Sequence, residues 1–221
     1  MKKSIQPKKR ILIVDDHPMM REGLAQLIEH EPDLAVEAQA DSAGEALRCV
    51  ERAVPDLLVV DISLPDKSGL ELIKDMHALH SGLPILVISM HDESLYAERV
   101  LRAGGRGYIM KQEGGQRLMQ AIRQVLGGRI YVSEKISSRI LENLSGHRPD
   151  SQSPVERLSD REFEVFQMLG QGQPTRDIAK HLHLSIKTVE VHRANMRRKL
   201  DLASGGELVR YAIRWNEAQK P

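Results

Sequence analysis

At 221 residues and 41% hydrophobic content the chain exceeds the usual single domain and has enough apolar material for two modest cores. No apolar stretch approaches the roughly 20 residues that cross a bilayer, and the basic start (Lys2, Lys3, Lys8, Lys9, Arg10) leads straight into a strand without a cleavage-site pattern, so a cytoplasmic protein without membrane contact is expected. The net charge of +1 hides a division: residues 11–130 hold 12 Lys or Arg against 19 Asp or Glu, a net of −7, whereas residues 156–221 hold 12 against 9, a net of +3. An acidic half that concentrates metal and a basic half that meets phosphate fit this division, with chance surface composition as the alternative.

In chain order, strands are expected near 11–15, 34–38, 56–61, 84–89 and 106–110, alternating with helices that start near Pro18, Ser42, Ser68, Ser94 and Gly115. Pro18 suits a first helical turn, and Ser42 followed by Glu45 reads as a capping box. Five βα repeats give an α/β fold, a doubly wound five-stranded parallel sheet in the order 2-1-3-4-5 with its crevice outside the first and third strands. Cys49 lies in a helical pattern and, being the single cysteine, forms no internal disulfide. From Ser133 to Leu144 the residues Ile136, Ile140, Leu141 and Leu144 recur at helical spacing, and Ser145 to Pro154 is polar, which suggests a linker helix and a tether. The domains are therefore expected at 9–128, 129–154 and 155–221.

The last of these reads as a small all-α unit. Ser159 with Glu162 caps a helix bearing Phe163, Val165, Phe166 and Leu169, ended by Gly170 and Gly172; Thr175–Leu182 is a short helix, Ser185 opens a long one to Leu200, and Ser204 opens the last. A turn of His183, Leu184 and Ser185 between two helices describes a helix-turn-helix, whose second helix enters the major groove of DNA. Val189, Met196 and Leu200 share one face of that helix. The opposite face shows Lys187, Glu190, Val191, Ala194 and Arg198 to base edges, while Lys180, Arg193, Arg197 and Lys199 are placed for phosphates. From spacing alone, a solvated basic helix is an equal alternative.

Strand ends carry the chemistry. Asp15 and Asp16 follow the first apolar run, Asp61 the third, Ser89 ends the fourth and Lys111 follows the fifth. Side chains at the carboxyl ends of parallel strands gather in one crevice, and three carboxylates there call for a cation. Mg2+ would take Asp16, Asp61, a main-chain carbonyl near Ser63 and water, with Asp15 acting through a bound water. Asp61 would be the nucleophile in phosphoryl transfer, with Lys111 and the Ser89 hydroxyl on the phosphoryl oxygens. Turn formation is the bland reading of any one of these aspartates.

These residues carry a resemblance. The segments ILIVDDHPMMREGL, PDLLVVDISLPDKSGLELI, PILVISMHDE and GGRGYIMKQEGG resemble the flavodoxin-like receiver domain of bacterial two-component response regulators. The resemblance implies that Asp61 accepts phosphate from a sensor histidine kinase, that Asp15, Asp16, Ser89 and Lys111 match the family's site, and that Tyr108 is the aromatic which moves inward with the hydroxyl. Gln112 departs from the family's frequent proline after the lysine, which puts the cis peptide seen there in doubt. Ser63 and His91, two residues beyond Asp61 and Ser89, flank the path of attacking water and are expected to tune phosphoryl lifetime.

The stretch LSDREFEVFQMLGQGQPTRDIAKHLHLSIKTVEVHRANMRRKL is similar to the LuxR-type DNA-binding domain, which brings Thr188 and His192 into the DNA-contact set. A receiver joined to this domain defines the NarL/FixJ class. The resemblance implies a transcription regulator in which the unphosphorylated receiver masks the recognition helix, with RNA polymerase as a further partner. Leu208, Ala212 and Trp215 look like the family's pairing face, with Val209 and Ile213 packed inward, and imply a homodimer on an inverted repeat; closure of the monomer core by Trp215 is the alternative. Phosphate on Asp61 would draw Ser89 inward and reshape the face made by the fourth and fifth helical segments. Rival functions are a separate phosphatase or hydrolase and a phosphorylation-independent DNA-binding regulator with a vestigial receiver. The pairs His77/His80 and His181/His183 lack a third ligand, and Gly104, Gly105 and Gly107 read as turn glycines rather than a phosphate loop.

Overall fold

The computed structural model describes residues 7–144, 154–182 and 184–218, in two compact units divided after Leu144. The expected tether at 145–153 and His183, in the expected turn, lie outside the described residues.

In the first unit β1 (Lys9–Val14), β2 (Leu34–Ala40), β3 (Leu57–Val60), β4 (Ile85–Ser89) and β5 (Gly107–Met110) form one parallel sheet in the order β2-β1-β3-β4-β5. Their connections are α1 (Pro18–Glu29), α2 (Ala43–Arg52), α3 (Gly69–Leu79) and α4 (Glu93–Ala103), and α5 (Gly115–Leu126) follows β5. Burial on both faces explains the unbroken apolar runs. Ile11, Ile13, Leu57, Val59, Leu86, Ile88 and Ile109 pack with Leu24, Ile28 of α1 and Leu118, Ile122, Val125 of α5. The alternate residues Leu12, Val14, Leu58, Val60 and Val87 are as deeply buried, and α2 contacts β1 and β2 while α4 contacts β5. Each such side chain contributes about 1.5–3 kcal/mol relative to exposure.

Helix starts differ from the local pattern at two places. Asp92, rather than a residue at Ser94, caps α4 by accepting from the Ser94 amide at 2.7 Å. The Ser42–Glu45 box does not form: Glu45 accepts from the Asp41 amide at 3.0 Å, and the Ala43 and Gly44 amides donate instead to the two carboxylate oxygens of Asp66 at 2.9 and 2.8 Å. A carboxylate across both amides satisfies two helix-end donors and meets the positive end of the helix dipole. Burial raises the Asp66 carboxyl, but donation from Gly44 and Ala43 outweighs it and holds the pKa below the ordinary value. Asp66→Ala is expected to cost about 1 kcal/mol, as loss of a cap does. Because the folded pKa is lowered, this contribution exists above the unfolded pKa and fades as pH falls through the folded one, so urea melts of wild type and variant should converge in acid. A constant gap down to low pH would remove Asp66 as the cap.

The segment expected as a separate linker belongs to the first unit. The Tyr108 amide donates to the Tyr131 carbonyl at 2.9 Å and the Tyr131 amide to the Arg106 carbonyl at 3.0 Å, so the chain covers the free edge of β5. Helix α6 (Glu134–Leu144) then packs on α4: Ile136 is fully buried, the Ser133 hydroxyl donates to Glu93 at 2.6 Å, and Arg139 donates to the Ser94 carbonyl at 2.8 Å. The compact unit thus ends at Leu144 rather than at residue 128.

The second unit holds α7 (Asp160–Gly170), α8 (Thr175–His181), α9 (Ile186–Lys199) and α10 (Gly205–Ala218). Here the capping box forms as read: Ser159 Oγ accepts from the Glu162 amide and Glu162 accepts from the Ser159 amide. Helix α7 packs on α9 and α10, with Phe163, Val165, Phe166, Ile178, Val189 and Met196 buried.

The expected pairing face of α10 is corrected. Leu208 and Ala212 are fully buried, and the Trp215 ring meets Phe163 and Phe166 edge-on at 5.8 and 5.4 Å between centroids. Val209 and Ile213, expected inside, are only half-buried. The reason is close approach: a Cβ on Gly170 would stand 2.6 Å from the Ala212 carbonyl, so α7 lies directly on the Leu208–Ala212–Trp215 stripe. A domain this small buries its longest apolar stripe, the one bearing the indole.

Candidate phosphoryl-transfer and DNA-binding sites

Register brings the strand-end groups together. Val14 pairs with Val60, Val60 with Val87 and Ser89 with Met110, so Asp15, Asp61, Ser89 and Lys111 end adjacent strands at one level. Lys111 Nζ lies 2.7 Å from Asp15 Oδ2 and 2.8 Å from Asp61 Oδ2, and all three side chains are nearly inaccessible. Burial opposes the ammonium, yet its hydrogen bonds to Asp15 and Asp61 outweigh this and raise the Lys111 pKa. Burial, with the Asp15 charge behind it, pushes the Asp61 carboxyl up against the opposing pull of Lys111. Gly69 stands where any Cβ would lie 2.4 Å from the Asp61 carbonyl, so glycine is required for α3 to start against this loop.

The donor set fits a hard divalent cation. Asp15, Asp16, His17 and Asp61 each offer a ligand atom within 4.8 Å of the others, and Asp16 Oδ1 is buried without accepting a hydrogen bond. Three carboxylates against one ammonium leave two negative charges, the deficit a divalent ion balances. His17 was not singled out in the sequence; its position directly after the acidic pair was the available signal.

Around this cluster, Ser89 is fully buried and its Oγ accepts from the His91 amide at 3.2 Å. Tyr108 is buried, with its hydroxyl donating to the His91 carbonyl at 2.7 Å, and burial pushes the phenol pKa up. Ser63 Oγ and His91 Nε2 stand 3.1 Å apart, which ties the loop after β3 to the loop after β4. Burial, aided by the Lys111 charge, lowers the His91 pKa. Among the described residues no peptide bond is cis, and Lys111–Glu113 form a single 3-10 turn.

In the second unit Lys180, Lys187, Glu190, Val191, Ala194 and Arg198 are exposed, Val191 by 53%, while Thr188, His192, Arg193 and Arg197 are half-buried. Ser185 caps α9 by accepting from the Thr188 amide at 3.0 Å. Two features were not legible in the spacing. Thr175 of α8 hydrogen-bonds Glu190 at 3.3 Å and also accepts from Arg193, which itself reaches Glu190 at 3.3 Å, so two contact residues of α9 are pre-oriented by a third. Lys199, placed for phosphate in the sequence, also donates to the capping-box carboxylate of Glu162 at 2.6 Å, with about a third of its side chain exposed.

The chain belongs to the two-component response regulators of the NarL/FixJ class. The family described as the response regulator receiver domain matches residues 11–123, and the family of bacterial regulatory proteins of the luxR type matches residues 156–212. The particular proteins it is similar to include the oxygen regulatory protein NreC of Staphylococcus haemolyticus, 35% identical over 210 residues that cover 93% of this chain and 97% of the relative. Among solved structures, a LuxR-family two-component response regulator from Aurantimonas sp. SI85-9A1 is 38% identical, covering 62% of this chain and 99% of that one, with a TM-score of 0.58. RcsB of Salmonella enterica serovar Typhimurium, solved on promoter rprA with the phosphomimetic BeF3-, is 26% identical, covering 93% of this chain and 98% of that one, with a TM-score of 0.66. The chain is thus a DNA-binding response regulator, not a conventional enzyme, and among the described residues no helix is long and apolar enough to cross a membrane.

Proposed function

We propose that a sensor histidine kinase transfers a phosphoryl group to Asp61 and that the resulting acyl phosphate switches DNA binding by α9. The observation that carries this reading is the buried cluster of Asp15, Asp61 and Lys111 at the ends of β1, β3 and β5, next to Asp16, in a chain that also bears a recognition helix with an exposed face. An Asp61 carboxylate oxygen attacks phosphorus as the phosphorus–nitrogen bond of the kinase phosphohistidine breaks, and the leaving imidazole keeps the electron pair. Lys111 neutralises the transferred oxygens and the Ser89 hydroxyl donates to one of them. Mg2+, held by Asp16, Asp61 and the Ser63 main-chain carbonyl with Asp15 acting through water, would supply charge stabilisation to the in-line transfer. Catalysis is confined to the chain's own phosphorylation and dephosphorylation.

The switch is a population shift. Movement of Ser89 toward phosphate pulls on the His91 amide it now accepts from, and the Tyr108 hydroxyl follows the His91 carbonyl. Both contacts precede α4, which carries α6, so the fourth helical segment and the linker helix receive the change together. The active form is a cytoplasmic homodimer on an inverted-repeat operator, acting on transcription with RNA polymerase; two-fold pairing matches half-sites of opposite orientation. Similarity to RcsB, whose structure was solved on a promoter with a phosphomimetic, supports this reading. The test is selection of bound DNA from random sequence with and without a phosphodonor: enrichment of a paired motif that depends on the donor supports it, and equal enrichment favours a vestigial receiver.

Two narrower outcomes follow from the contacts. Since Ser63 and His91 hydrogen-bond each other beside the acceptor, Ser63→Ala and His91→Ala are each expected to change the dephosphorylation rate more than the melting temperature. Rates within about twofold of wild type, near 0.4 kcal/mol in barrier, would end that role. On α9, exposed Val191 faces a thymine methyl and Glu190 a cytosine amine, whereas Arg197, with Lys180 and Arg193, neutralises phosphate. Val191→Ala should alter base preference at one or two positions by about 1–3 kcal/mol. Arg197→Ala should weaken all sequences alike and lower the salt slope by about one unit. The reverse pattern in a salt titration on specific and random duplexes would mean that the helix is turned the other way.

A further inference from the structure

His17 is the one potential ligand of the acidic crevice that is not an oxygen donor. Its Nδ1 lies 2.6 Å from Asp16 Oδ1 and 3.3 Å from Asp15 Oδ1. Despite that closeness, Asp16 Oδ1 is buried with no hydrogen bond of acceptable geometry. The imidazole is held there by its own backbone. Pro18 restricts the preceding residue to extended conformations, and His17 has φ −88° and ψ 109°. The His17 amide also donates to Asp15 Oδ1 at 2.9 Å, locking the base of the side chain to the carboxylate beside which its ring stands. The four ligand atoms lie within 4.8 Å, close to the span of about 4.2 Å between opposite ligands of a small octahedral ion.

We propose that His17 Nδ1 is a metal ligand of this crevice and that it tilts the site from Mg2+ toward divalent transition ions such as Mn2+. The inference rests on the metal-assisted reading above and concerns which ion the site prefers. Mg2+ takes oxygen ligands and keeps its waters, so an imidazole gives it little; Mn2+ and the later divalent ions accept nitrogen readily. With its side chain 67% exposed, His17 enters from the solvent side, where it replaces a water rather than a carboxylate.

The experiment uses the full chain, with Mn2+ and Mg2+ titrated by calorimetry and the Mn2+ complex examined by electron spin echo envelope modulation. Wild type is expected to show modulation from a directly bound imidazole nitrogen. His17→Asn, at a position whose side chain makes no capping bond, should lose that modulation and bind Mn2+ about tenfold more weakly, while Mg2+ affinity changes less than about threefold. Mn2+ bound without nitrogen modulation in wild type, or equal loss of both ions in the variant, overturns the proposal. Modulation that persists in His17→Asn places the signal at another histidine and also overturns it. Wild type that binds neither ion overturns the acidic metal site itself, and with it the reading on which the inference depends.

Discussion

Asp61→Asn is expected to abolish labelling by acetyl phosphate or by a kinase in the presence of magnesium while leaving the fold intact. The amide keeps the shape of the carboxylate but removes the nucleophilic charge, and Lys111 retains Asp15 as an anionic partner. The sign of the stability change follows from the same burial. Because the folded pKa of Asp61 is raised, its charged form opposes folding once pH rises through that pKa. In metal-free buffer near neutrality the neutral variant should therefore melt no lower than wild type, and magnesium should stabilise wild type more than the variant. Chelation of the metal should suppress labelling of wild type as well. Full labelling of Asp61→Asn would move the acceptor elsewhere, and a large drop in its metal-free melting temperature would mean that the Lys111–Asp61 contact is a stabilising pair rather than a strained one.

The second large effect concerns Trp215. Removing the ring from between Phe163 and Phe166 should cost about 3 kcal/mol, the lower end for truncating a large aromatic residue because this one is only half-buried. In a unit this small that is a large part of the whole stability, so Trp215→Ala should melt the DNA-binding unit well below the receiver and abolish binding to every duplex. The check is far-UV circular dichroism during heating of the full chain, set beside phosphorylation of the receiver, which should persist. If the variant keeps its melting curve and loses only dimer formation on DNA, the stripe is a pairing face after all.

The sheet was legible because fully buried parallel strands leave continuous apolar runs, and the crevice was legible because each run ends on a chemically distinctive residue. Asp61, Ser89 and Lys111 need no more than strand order to be brought together. What escaped the sequence was decided by groups far apart in the chain. Asp66 takes the amides of Ala43 and Gly44 from a loop more than 20 residues away, so the Ser42–Glu45 pattern, correct in form, found its donors already engaged. Helix α10 offers two apolar stripes, and the bare backbone of Gly170 together with the Phe163 and Phe166 rings decides which one meets α7. Tyr131 pairs with an edge strand, a contact that periodicity does not register. Lys199 looks like any other basic residue of a recognition helix until Glu162, the cap of a different helix, is found against it.

The chain contains one tryptophan, and that residue sits between two phenylalanines of the DNA-binding unit. Its indole is therefore a native optical probe confined to one half of the protein, since the receiver contributes only tyrosine emission. Red excitation edges select the indole alone, so unfolding of the two halves can be followed separately in a single unlabelled sample. A change in indole emission on treatment with a small phosphodonor, with no DNA present, would be a message from Asp61 received in the other half of the chain.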